Sequence, residues 1–153
     1  MAVVTDSDVA AAVLTRWAAV SALNAIIPST GVWRGRATER STLPYATVVV
    51  TEQDRELTSG SAYLATFLVE IEAYTNDTGT TTAALSAALD AAFNGSSSAP
   101  AAGLSVTNAT AVLYAQADGG ATSRPTANER SGGSKDTRRT TAKYRVLVQG
   151  SRG

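Results

Sequence analysis

Residues 63–75 read Tyr-Leu-Ala-Thr-Phe-Leu-Val-Glu-Ile-Glu-Ala-Tyr-Thr, and their alternation decides how the chain folds. Tyr63, Ala65, Phe67, Val69, Ile71 and Ala73 fall on one side, and Leu64, Thr66, Leu68, Glu70, Glu72 and Tyr74 on the other. Side chains of extended backbone point alternately to opposite faces, so this is a strand whose first set faces a core. Glu70 and Glu72 then share the second face, as part of a solvated or subunit-facing sheet surface. Two acids side by side lack the opposed placement that glycosidic chemistry requires.

Upstream, Leu43-Pro44-Tyr45 leads into the β-branched run Ala46–Thr51. Proline donates nothing to a ladder and biases its predecessor to extended geometry, so it suits a strand start. Residues 52–61 are polar, contain Gly60 and read as a hairpin connection. Before them, residues 31–36 form a short strand in which Arg34 and Arg36 alternate with Trp33. An interface, where Arg and Trp are enriched, and core packing of Trp33 both fit it. At the start of the chain, Asp6, Ser7 and Asp8 supply helix N-cap chemistry and favourable charge. Val9, Val13, Trp17, Val20 and then Asn24 or Ile27 recur at helical spacing, with Pro28 as the stop and Trp17 as the main core anchor.

Downstream, Asn76–Thr82 is turn and cap, and a second helix over 81–94 places Leu85, Ala88, Leu89, Ala92 and Phe93 on one face. Gly95 stands where a C-cap belongs. Residues 104–118 and 137–149 alternate as two final strands, antiparallel partners joined by a long loop. The order of helix, three strands, helix and two strands predicts an α+β fold: a mainly antiparallel sheet of about five strands with two helices packed on one face. The 153 residues fit a single domain, 1–153, carrying an extended basic loop at 119–136.

Charge is divided along the chain. Residues 1–118 hold five basic and eleven acidic side chains, and residues 119–153 hold eight basic and two acidic ones, so a formal total of zero conceals about −6 and +6. Such asymmetry points to a charged partner. In the loop and just after it stand Arg124, Arg130, Lys135, Arg138 and Arg139. They fit a solvated loop, pairing between subunits, or contact with DNA phosphates. No nucleic-acid-binding signature or aromatic interleaving accompanies them.

Catalytic chemistry finds little footing. The chain has no cysteine and no histidine, which removes thiolate sites, the commonest general base and the usual triad. Asp77-Thr-Gly-Thr echoes an aspartic-protease motif without its second copy, and reads as a helix start. No G-x-S-x-G or G-x-x-x-x-G-K motif is present. The reading is therefore not an enzyme, with no metal and no cofactor. Acids near the N-terminus oppose a signal peptide, and the longest apolar run, 18–27, is too short for a bilayer.

Taken together, the amphipathic first helix, the Val-Trp strand, the Leu43-Pro44-Tyr45 lead into Val48-Val49-Val50, the strand motif Phe67, Val69, Ile71, Ala73, Tyr74, and the Ala/Leu helix from Ala83 to Phe93 form a pattern. Over residues 6–149 it resembles the tail-terminator and tail-completion (neck) proteins of long-tailed bacteriophages. The resemblance implies a virion structural protein that forms a hexameric ring, caps the tail tube, ends its polymerisation and joins tail to head, with assembly in the host cytoplasm. Its partners would be further copies of itself, the tail-tube protein and a head-completion or connector protein, with DNA contact possible in the lumen. Such proteins have no catalytic residues to carry over. The long basic insertion at 119–136 departs from the pattern. In a ring, the acidic body and basic arm would complement each other, with Arg34, Arg36, Glu70 and Glu72 as further contacts. The alternatives are a head-closure or tail-tube protein of the same particle, and a monomeric module binding an acidic ligand or nucleic acid.

Overall fold

The computed structural model describes residues 2–35, 42–76, 79–119, 122–125 and 137–152. Thr5 opens the first helix, α1 (Asp6–Ala19). Its amide donates to the Asp8 carboxylate at 2.8 Å while its hydroxyl accepts from the Asp8 amide, a reciprocal capping box. The single helix expected as far as Ile27 instead breaks at Val20 and restarts as α2 (Ser21–Ile26). Asn24 accounts for the break. Its Nδ2 donates to the carbonyls of Trp17, Ala18 and Val20 at 2.8, 3.1 and 3.0 Å, and its Oδ1 accepts from the Ser29 amide. One side-chain amide thus satisfies the Ala18 carbonyl that the end of α1 leaves open and adds a further donor to the Trp17 and Val20 carbonyls, which also accept from backbone amides. Trp17, fully buried, locks the elbow by donating from Nε1 to the Ile27 carbonyl at 2.9 Å.

A 3-10 turn (Ser29–Gly31) follows, and the remaining elements are β1 (Val32–Arg34), β2 (Tyr45–Ser59), β3 (Ala62–Asn76), α3 (Gly79–Phe93), β4 (Ala111–Ala117), β5 (Thr122–Pro125) and β6 (Thr137–Ser151). The sheet runs β1-β2-β3-β6-β4, with β5 also on β6. The pairings are antiparallel except β1 with β2, which is parallel. The fold is therefore α+β and mostly antiparallel as expected; among the described residues the sheet is a mixed path of five strands with β5 added beside β6, and there are three α-helices rather than two.

Three boundaries need correction. Residues 52–59 are not a connection: they continue β2 opposite β3, and the turn is only Gly60-Ser61, with Gly60 at φ +54°. A two-residue hairpin needs positive φ, which glycine adopts without strain. The strand expected over 104–118 begins only at Ala111, while Leu104 and Val106 are buried in irregular chain. Finally, the segment expected as one long loop contains β5, whose Thr122–Pro125 pair with Arg138–Thr141 of β6. Residues 120–121 and 126–136 of that segment lie outside the described residues.

The core occupies one side of the sheet. Every inward residue named for β3 is buried, as are Leu85, Ala88, Leu89, Ala92 and Phe93 of α3. Phe93 lies between Trp17 of α1 and Tyr144 of β6, with ring centroids at 6.4 and 5.6 Å. The Tyr144 hydroxyl donates to Asp90 at 3.2 Å, and burial, followed by the Asp90 charge, pushes its pKa well above the ordinary value. Two glycines permit close approach. Gly95 acts not through a left-handed C-cap conformation but through space, since a Cβ there would collide with the Pro100 carbonyl. Its amide donates to Ala115 at 2.6 Å, so the chain after α3 lies directly along β4. At Gly150 a Cβ would fall on the ring and hydroxyl of buried Tyr63.

Candidate assembly surface

Among the described residues the sheet's other side carries no helix, and ladder register shows what it presents. Across β2, β3, β6 and the β4/β5 edge, successive rows read Tyr45–Tyr74–Arg139–Arg124, then Thr47–Glu72–Thr141–Thr122, then Val49–Glu70–Lys143. Further along they read Thr51–Leu68–Arg145–Gln116, then Asp54–Thr66–Leu147–Tyr114. Two patterns emerge. Acidic residues fall on β2 and β3 and basic ones on β6, so the division seen along the chain becomes a division across the sheet. In addition, Val49, Leu68, Leu147 and Tyr114, one from each strand, form an apolar diagonal. Val49 is 45% exposed and the other three are half-buried. An antiparallel sheet with one solvated face ordinarily places polar residues outward.

The sequence-derived candidates distribute as follows. Glu70 and Glu72 lie half-buried on this open face, opposite Lys143 and Thr141. Arg138 and Arg139 begin β6, and Arg124 of β5 stands directly opposite Arg139. Arg34 ends β1 and donates to the Ser7 hydroxyl at 3.1 Å, away from the others. Arg36, Arg130 and Lys135 lie outside the described residues. Trp33 is 37% exposed, and its register with Thr47 sets it on the open face.

Sequence reasoning did not single out the hairpin acids Asp54 and Glu56, nor Lys143 and Arg145 as surface contacts. The signal available was the outward apolar set Leu64 and Leu68, unusual for a solvated face.

Local electrostatics differ between the two ends of the strands. Near the hairpin, Arg55 donates from Nε and Nη2 to the Glu52 carboxylate at 2.8 and 2.9 Å, and from Nη2 to the Val4 carbonyl at 2.8 Å. Its guanidinium lies 4.6 Å from the Tyr63 ring centroid. The hydrogen bond with Glu52 raises the Arg55 pKa and holds the Glu52 carboxyl below the usual carboxylate range. At the opposite end, Tyr45 and Tyr74 stack at 4.8 Å. Burial first, then the charge of Glu72, lifts the Tyr74 hydroxyl above its ordinary value, while a hydrogen bond from Arg139 pulls it down. The Arg145–Asp118 pair at 3.6 Å is well exposed and contributes little to stability. Among the described residues no group of three or more His, Cys, Asp or Glu could hold a metal, and no helix is long and apolar enough to cross a membrane. What the face offers is contact: apolar area with charge of both signs at its margins.

No family model matches the chain, and no curated protein does. Solved structures do. A chain from the virion of a native gene transfer agent particle superposes with a TM-score of 0.68 at 19% identity, covering 94% of this chain and 96% of that one. A second solved structure, whose name gives no function, matches with a TM-score of 0.50 at 15% identity over 93% of this chain and 95% of that one. At these identities the likeness is one of fold, and it extends over nearly the full length of each chain.

Proposed function

We propose that this chain is a structural subunit of a virion, and within it a ring-forming neck protein that caps the tail tube, ends its growth and joins tail to head. The observation that carries the virion reading is the near full-length fold likeness to a chain of the gene transfer agent virion. A helix-free sheet face with an apolar diagonal and charged margins supports it, because protein interfaces combine an apolar centre with a polar rim. The narrower role as a terminator rests on the element order that resembles tail-terminator proteins. On this reading the subunit acts by shape and complementarity, with further copies, a tail-tube protein and a head-completion or connector protein as partners. The basic segment would face a neighbouring subunit or DNA in the lumen.

Electron microscopy of the purified full chain, with sedimentation velocity, tests the proposal. Closed rings of uniform size that stop tail-tube protein from polymerising are the expected result. Long tubes would identify a tube protein, and a monomer at all concentrations would overturn the ring reading.

A further inference from the structure

We infer that two diagonally opposite corners of the sheet meet between neighbouring copies: the acidic β2–β3 hairpin of one and the arginine corner of β5 and β6 of the next. This rests on the ring reading above and names the surfaces that would close the ring. The hairpin corner carries exposed Asp54 and Glu56, with Leu57, 55% exposed, as the most exposed large hydrophobic residue among those described. The opposite corner places Arg124 directly across the ladder from Arg139, with Arg138 adjacent in sequence. This register brings two arginine positions together at one point of the ladder, which an acidic surface from outside would complement. Tyr74, bonded to Arg139, adds the aromatic element that accompanies arginine in binding hot spots.

The two corners cannot neutralise each other within one copy. Asp54 is opposite Thr66, and Arg139 is opposite Tyr74. That offset, with β3 between them, separates the corners by roughly 25–30 Å at about 3.4 Å per residue and about 4.8 Å per strand. Salt screens exposed charges beyond about 8 Å. The two corners are thus complementary but can meet each other only between copies, while within one copy the Tyr74 hydroxyl links Arg139 to Glu72. They also lie toward opposite edges of the sheet, which suits a head-to-tail contact that closes by rotation. The β2 edge is not suited to strand addition: it is charged, and bulges interrupt it between Glu52 and Asp54 and between Leu57 and Ser59. Contact would therefore run through side chains.

Charge swapping tests this on the full chain. The Asp54→Lys/Glu56→Lys variant and the Arg124→Glu/Arg139→Glu variant should each assemble at least about tenfold more weakly than wild type. An equimolar mixture of the two should recover rings of alternating composition, because each reversed corner then meets its complement. Far-UV circular dichroism establishes that each variant is folded; if the reversed arginine variant is not, Arg124→Gln/Arg139→Gln replaces it and should weaken assembly in the same direction. If wild type forms rings and the variants do so equally well, or if folded variants fail to recover on mixing, the inference is overturned while the ring reading stands. If the arginine variant keeps its rings but loses salt-sensitive DNA binding, that corner serves nucleic acid and the inference is likewise overturned. A monomeric wild type would instead overturn the ring reading itself.

Discussion

Phe67 and Leu68 are consecutive residues of β3 that meet opposite fates. Phe67 points into the helix-covered side with no exposed area, pairing with Val146 of β6, whereas Leu68 points to the helix-free side, half-buried and opposite Arg145. The same division runs along the strand. Its inward set is closed over by α1 and α3, and its outward set mixes Leu64 and Leu68 with Glu70 and Glu72. Backbone alternation therefore allows one strand to hold two sets of instructions, one for folding and one for contact, with little cross-talk between them. On this division a surface residue of β3 should change without disturbing the core, and the apolar diagonal should serve contact rather than folding.

This comparison is sharpened most by mutating the two neighbours. Phe67→Ala should lower stability by about 3–5 kcal/mol, the usual cost of emptying a closed aromatic site. Leu68→Thr should change it by no more than about 1 kcal/mol, yet weaken assembly. Urea midpoints followed by circular dichroism, beside sedimentation velocity, separate the two effects. Equal losses of stability would mean that the open face is a second core rather than a contact surface. Gly150→Ala comes next in size. Its methyl would land on the Tyr63 ring, whose hydroxyl receives the Val4 amide at 2.9 Å, so overpacking by about 1–3 kcal/mol is expected. Asn24→Ala follows at about 1–2 kcal/mol, because at the α1–α2 elbow the Ala18 carbonyl loses its donor, the Ser29 amide loses its acceptor, and the Trp17 and Val20 carbonyls keep only their backbone donors. A stability unchanged in either variant would show that the contact in question is dispensable to the covered side.

What the sequence revealed follows the same division. Residues with one face against the core were legible: the alternation of β3, the stripe of α3 and the anchor Trp17 all carry a hydrophobic period. Residues whose neighbours are polar on both sides were not. Residues 52–59 of β2 run along the rim, where the Glu52 amide meets Asp6 and Arg55 meets the Val4 carbonyl, so polar contacts replace the apolar period and the strand looks like a loop. Thr122–Pro125 pair with the Thr/Arg-rich start of β6, and the ladder there leaves no hydrophobic trace. The Val20 break and the parallel seat of β1 depend on contacts made by Asn24 and on pairing with Ala46–Val48, which no local period encodes. Of the candidate surface, Glu70, Glu72, Arg138 and Arg139 were identifiable from charge and spacing. The acids of the hairpin were hidden because that segment did not read as a strand.

The smallest expected effect concerns the rim of the covered side, where Glu52 and Arg55 stand in place of apolar packing. The hydrogen bond from Arg55, aided by its charge, holds the Glu52 pKa below the value of an unfolded chain, while partial burial opposes. A depressed carboxyl contributes stability that is fully present above its unfolded pKa, about 4.3, and is lost as pH falls through the folded value. Glu52→Gln lacks this contribution at every pH. Wild type should accordingly exceed Glu52→Gln in urea midpoint near neutrality, and the gap should close on acidification below about pH 4. Because the Glu52 side chain is about a third exposed and Arg55 partly so, the difference should be modest and should shrink in high salt. A gap that stayed constant from neutral to acid pH would show that Glu52 acts through shape rather than charge, and would place this rim with the packed face instead of the charged one.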